Sequence, residues 1–138
     1  MPGLSGANDN ASGAVILLTI AELLADVELP YTLRIMPFGG LLGSRFYVQE
    51  LSSVELENTE LMLNSDALST GSGVAIFGDE VFTELINEKC SEVGVDVRLS
   101  RGMRRGTSDF ADFREAGVPF VMFVGDDVSR IHTELDTG

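Results

Sequence analysis

Three short stretches of the chain carry side chains that could bind a cation. Asp9 stands in the polar run Gly6-Ala7-Asn8-Asp9-Asn10-Ala11-Ser12-Gly13, which opens into an apolar stretch. Asp66 ends the run Leu63-Asn64-Ser65-Asp66, and His132 begins His132-Thr133-Glu134-Leu135-Asp136-Thr137. Two carboxylates and an imidazole together suit zinc. Each residue also has a plainer reading: Asp9 as a helix cap, Asp66 as a turn residue, His132 as a surface histidine. Cys90 is the only cysteine, so no internal disulfide can form. With no histidine near it in sequence, it reads as a half-buried structural thiol.

The elements that must position these groups follow from pattern. Asn8, Asp9, Asn10 and Ser12 can all cap a helix, and Ala14 to Val27 has so narrow a polar stripe that a helix buried on most sides is expected. Glu28-Leu29-Pro30 is a turn, and Tyr31 to Phe38 reads as an inner strand, apolar on both faces. Leu41 to Leu51 is a second helix, with Leu42, Phe46 and Val48 expected inward. Glu60 to Asn64 is a strand, Ser69 to Gly73 a flexible turn, and Val74 to Phe77 a short strand. Asp79 to Val93 is an amphipathic helix whose Glu80, Glu84, Glu88 and Glu92 form a solvated face, closed by Gly94. Val95 to Leu99 is a strand, 101–106 a basic loop, and Ser108 or Asp109 caps a short helix ending at Gly117. Phe120 to Val124 is the last strand, and 126–138 shows no period. The alternation predicts an α/β fold: three layers, a mostly parallel sheet flanked by helices, in one domain over 1–138. In such sheets chemistry gathers at the carboxyl ends of the strands, which makes Asp9, Asp66 and His132 neighbours.

Composition narrows the partners. The chain has 138 residues, 44% of them hydrophobic, with 22 acidic against 9 basic residues and a net charge of −13. So few cations argue against nucleic acid and against an anionic membrane surface. No basic n-region precedes an apolar h-region, so no signal peptide is expected, and the chain reads as soluble. The longest apolar stretch, Ala14 to Leu18, is too short to span a bilayer.

The motifs, taken together, resemble the di-zinc aminopeptidase family. The Gly6 to Gly13 run entering its helix is one match. Pro30-Tyr31-Thr32-Leu33-Arg34-Ile35 with Leu41-Leu42-Gly43-Ser44-Arg45-Phe46-Tyr47-Val48 is similar to a family strand and the helix after it. Met62-Leu63-Asn64-Ser65-Asp66, Ser108-Asp109-Phe110 through Ala116-Gly117-Val118-Pro119, and the His132 to Thr137 ending complete the series, in family order. The resemblance implies that Asp9 is the carboxylate bridging two zinc ions. It implies Asp66 as a terminal ligand of one ion and His132 of the other.

The departures are specific. The family's His-x-Asp motif before the Asp9 turn has no counterpart in Met1 to Ser5. Its Glu-Glu pair, general base and zinc ligand, is missing where Phe38-Gly39-Gly40-Leu41-Leu42 runs straight through. Its Ser-Asp-His reads Ser-Asp-Phe at Phe110. By this carry-over each zinc keeps two protein ligands, fewer than the three or four that zinc sites use. The expectation is a catalytically inactive scaffold in which Asp9, Asp66 and His132 are remnant ligands and zinc binds weakly. The alternative is a working zinc aminopeptidase that borrows Glu134 or Asp136 from a second chain. The family's leading strands and trailing helix are also lacking, which reads as a shortened, engineered version of the fold. The uncovered sheet edge or helix face predicts a homodimer.

Overall fold

The computed structural model describes residues 5–102 and 107–137. Most of the expected basic loop, the first residues of the expected N-terminal loop and Gly138 lie outside that range. After a turn at Ala7–Ser12 come α1 (Gly13–Leu24), α2 (Leu41–Glu50), α3 (Ser53–Glu57), β1 (Met62–Asp66), β2 (Val74–Gly78), α4 (Glu80–Glu92), β3 (Val97–Leu99), α5 (Phe110–Glu115) and β4 (Phe120–Gly125). The strands form a sheet in the order β1-β4-β2-β3. β1 runs parallel to β4 and β2 parallel to β3, while β2 and β4 are antiparallel. The α/β class with a mostly parallel sheet and flanking helices is borne out, with one reversed pairing at its centre.

Register decides which side chains meet. Met62, Asn64 and Asp66 stand opposite Phe120, Met122 and Val124, and Met122 opposite Phe77. Strand side chains alternate between faces, so these residues share one face. Phe77, Phe110 and Met122 are the buried core there, with Met62, Ala111, Phe120 and Val124 packed round them. Phe110 stacks on Phe120 with ring centroids 4.4 Å apart and meets Phe77 edge-on at 5.7 Å. This is why phenylalanine suits position 110: the side chain is core. The opposite face carries Ile76 and Val121, both fully buried; α4 packs against β2, β3 and β4.

Local chemistry explains the helix ends. The Asp79 carboxylate accepts from the amides of Val81 and Phe82 at the start of α4. α3, absent from the pattern reading, begins with a capping box: Ser52 Oγ accepts from the Glu55 amide while Glu55 reaches back to the Ser52 amide. Glu80, Glu84, Glu88 and Glu92 are exposed and Cys90 is half-buried, as expected. Gly94 and Gly117 end their helices with φ of +74° and +85°, in the left-handed region that favours glycine.

Three expectations are corrected. α1 is not buried on most sides; Leu18 is 66% and Leu23 71% exposed. Among the described helices and strands only β1 lies against it, together with the Ala7–Ser12 turn. Tyr31 to Phe38 is no strand, because no backbone partner bonds to it among the described residues. It runs beside α1 instead, with Leu29, Leu33 and Ile35 facing Ala21 and Leu24 across a shallow apolar groove. In α2 the buried residue is Ser44, while Leu42 and Phe46 are exposed. Ser44 Oγ lies 3.2 Å from Asp112 Oδ2, and a small residue there lets α2 approach α5. Among the described residues no helix is long and apolar enough to cross a membrane.

Candidate metal centre

The turn that carries Asp9 is held by its neighbours' side chains. Gly6 has φ +64°, and a Cβ there would stand 2.8 Å from the Asp9 carbonyl, so the turn needs glycine. Asn8 is buried and spends its whole amide on the loop after β1. Its Nδ2 donates to Thr70 Oγ1 at 2.9 Å, and its Oδ1 accepts from the Ser69 amide and hydroxyl at 2.8 and 2.9 Å. Ser12 Oγ donates to the Asn8 carbonyl and accepts from the Leu68 amide. The loop expected to be flexible is thus tied down at Leu68, Ser69 and Thr70. Of the polar residues expected to cap α1, Asn10 does so in part, accepting from the Gly13 amide at 3.0 Å. The others cross-link loops.

With its backbone fixed, Asp9 presents its carboxylate to the last loop. His132 Nε2 lies 2.8 Å from Asp9 Oδ2. The histidine side chain is 72% exposed and that of Asp9 22%, so solvent screens this pair. His132 holds φ +59°, a region few residues other than glycine adopt.

Asp66, at the carboxyl end of β1, receives a relay from the core-facing side. Asn64 Nδ2 donates to Ser108 Oγ at 3.0 Å, and Ser108 Oγ donates to Asp66 Oδ2 at 2.8 Å. The Asp66 carboxyl is pushed above the ordinary aspartate range, chiefly because it is buried. The Ser108 hydroxyl opposes that shift, and the nearby charges of Asp9 and Asp109 add to it. Asp109 Oδ1 is itself buried without a hydrogen-bond partner. Crowded, poorly solvated carboxylates favour either a proton or a cation.

The structure therefore sets Asp9 against His132 and leaves Asp66 within reach of the Asp9 charge. Among the described residues it gathers no group of three or more His, Cys, Asp or Glu side chains in a metal-ligating arrangement. The donor types fit zinc, and the crowding at Asp66 is the kind a cation relieves; the number of donors falls short of a closed site.

Pattern reading did not foresee the part played by Asp136. This residue is buried, its Oδ1 accepting the Asn8 amide at 2.6 Å and its Oδ2 the Asp9 amide at 3.1 Å. Both oxygens serve its own chain, and the burial of Asp136 turns it away from a second one. Its burial lies in a loop without secondary structure, which leaves no pattern in the sequence to signal it.

Carboxylates at a helix mouth and a strand end, with a histidine from the loop after the last strand, are the frame of a metallopeptidase-type α/β domain. Residues 1–138 match the model of peptidase family M28 from end to end, and the chain belongs to that family. It is 32% identical over 143 residues to aminopeptidase YwaD of Bacillus subtilis (strain 168), covering 92% of this chain and 30% of that protein. To leupeptin-inactivating enzyme 1 of Streptomyces exfoliatus it is 30% identical over 136 residues, covering 91% and 31%. The fold superposes on a zinc aminopeptidase from Bacillus subtilis with a TM-score of 0.88 at 31% identity, covering 99% of this chain and 38% of the other. An aminopeptidase from Aneurinibacillus sp. strain AM-1 gives 0.84 at 26% identity, covering 99% and 35%. The chain thus spans about a third of the length of these relatives.

Proposed function

We propose that this chain is an M28 aminopeptidase-like domain with an incomplete metal site, a scaffold that binds zinc weakly and does not turn over peptides. Asp9, Asp66 and His132 are the residues that would hold the ion. Zinc bound there would polarise a carbonyl or acidify a water. Turnover also needs a general base placed at the reacting water. The observation that carries the reading is internal to the chain: Gly39-Gly40 leads straight into α2, whose first turn has no acidic residue. The family resemblance puts the general base and one zinc ligand in that connection.

The alternative, in which a second chain lends ligands, is left with the exposed Glu134, since Asp136 is engaged in its own chain. One experiment separates the two. Zinc content is measured after dialysis, alongside release of leucine from a chromogenic amide. The expected result is zinc that dialyses away and release no faster than in buffer. Two tightly held zinc ions per chain with turnover would overturn the proposal.

A further inference from the structure

Asp136 and His132 belong to one loop, and both act on Asp9. The Asp136 carboxylate, 4% exposed, takes the backbone amides of Asn8 at 2.6 Å and Asp9 at 3.1 Å. The His132 imidazole takes the Asp9 side chain at 2.8 Å. The Asp136 carbonyl in turn accepts from the Ser5 hydroxyl, which ties the start of the turn to the same loop. A buried carboxylate is tolerated when both oxygens are satisfied. Amide bonds to an ionised acceptor are also roughly twice as strong as neutral ones. The Asp9 side chain accepts no backbone amide of its own turn, so its direction is set by how its backbone is held.

From this geometry we propose that Asp136 is the positioning residue of the site: it fixes the Asp9 backbone so that the Asp9 carboxylate faces His132, the two side chains that would hold a cation. The orientation of Asp9 stands without a metal. Its meaning for the cation rests on the zinc reading above. Asp136 is buried with a backbone amide on each oxygen, which sets it behind Asp9 and His132 and not beside them. Its place is that of a group behind the ligands, where substitution typically costs about tenfold or more in metal affinity.

His132 is the only histidine in the chain, so its ring protons form a self-assigned NMR reporter. Wild type, Asp136→Asn, Asp136→Ala and Asp9→Asn are compared in the metal-free protein at one pH, with the exposed Leu135→Ala as the control in the same loop. Asp9→Asn defines the signal of a histidine without its carboxylate partner. Asp136→Asn is near-isosteric and keeps one acceptor. Should Asp136→Ala unfold, Asp136→Asn carries the test.

The expected result is that Asp136→Asn moves the ring signals toward those of Asp9→Asn. Its zinc affinity, read by calorimetric titration with the metal alone, drops about tenfold or more, and Leu135→Ala changes neither. A folded Asp136→Asn whose ring signals stay at the wild-type position overturns the proposal, as does a loss of stability with zinc affinity unchanged. Wild type that takes up no zinc at all sinks the metal reading instead, and the ring signals then decide the positioning role alone.

Discussion

Asn10 closes the outer edge of β1 at Ser65. Its Nδ2 donates to the Ser65 carbonyl at 2.8 Å, while its Oδ1 accepts from the Ala67 amide at 3.2 Å. Along β1 the Met62 amide bonds inward, to the Pro119 carbonyl beside β4, so alternate residues turn their peptide groups outward. The Asn10 carboxamide stands where the peptide group of a further parallel strand would stand. It brackets Asp66 and fixes the end of the strand that carries it.

Replacing Asn10 by alanine should therefore destabilise the fold. It strands the Ala67 amide, which belongs to a buried residue, and so costs about 1–3 kcal/mol. Urea unfolding of Asn10→Ala beside wild type measures this. An unchanged midpoint would mean that water replaces the carboxamide without loss.

Gly13 opens α1, where alanine is ordinarily the better helix former by about 1 kcal/mol. Here a Cβ would lie 2.4 Å from Asn10 Oδ1 and 2.5 Å from the Ser65 carbonyl. Gly13→Ala is expected to lower stability by about 1–3 kcal/mol, the usual cost of overpacking. A thermal melt that rises with alanine would show that the turn can retreat from β1.

Asp126 gives a dependence on pH. Its carboxyl is held below the ordinary value of 3.8, first by the Ser72 amide and then by that of Gly73. A depressed folded pKa stabilises above the unfolded value and loses that contribution as pH falls through the folded one. Asp126→Asn should therefore be less stable than wild type at neutral pH, and the gap should close as pH falls below 3.8. Denaturation midpoints at several pH values test this; a gap that widens in acid would contradict it.

Self-association is expected through the open part of the β1 edge and the exposed stripe of α1. Leu63 is 51% exposed, and no strand pairs with the outer side of β1 among the described residues. With a net charge of −13, two copies repel, and salt screens that repulsion. Light scattering at micromolar concentration should show dimer increasing with added salt, and Leu18→Glu should reduce it. Monomer at every salt and protein concentration would count against the idea.

How far pattern reading reached follows from what each element depends on. β4 was legible because it is an apolar run between turn residues, and α4 because its apolar residues recur at helical spacing; β1, expected at Glu60 to Asn64, runs two residues later, from Met62 to Asp66. The burial of α1 was not, because a hydrophobic stripe shows what could be covered and says nothing of whether a neighbour is present. Tyr31 to Phe38 failed for the same reason: a strand is a relation between two segments. At the site, the residue types and family order pointed to Asp9, Asp66 and His132. The contacts of Asn8, Asn10 and Asp136 join segments far apart in sequence and leave no local period to find.

The tie between Asp9 and Asp136 spans 127 positions. Closing so long a loop costs chain entropy that no nearby contact repays. On the ribosome, the Asp9 turn leaves the tunnel long before its clamp has been translated. Until those intervening positions are made it must wait, with the apolar helix behind it exposed to whatever else is nascent in the cell.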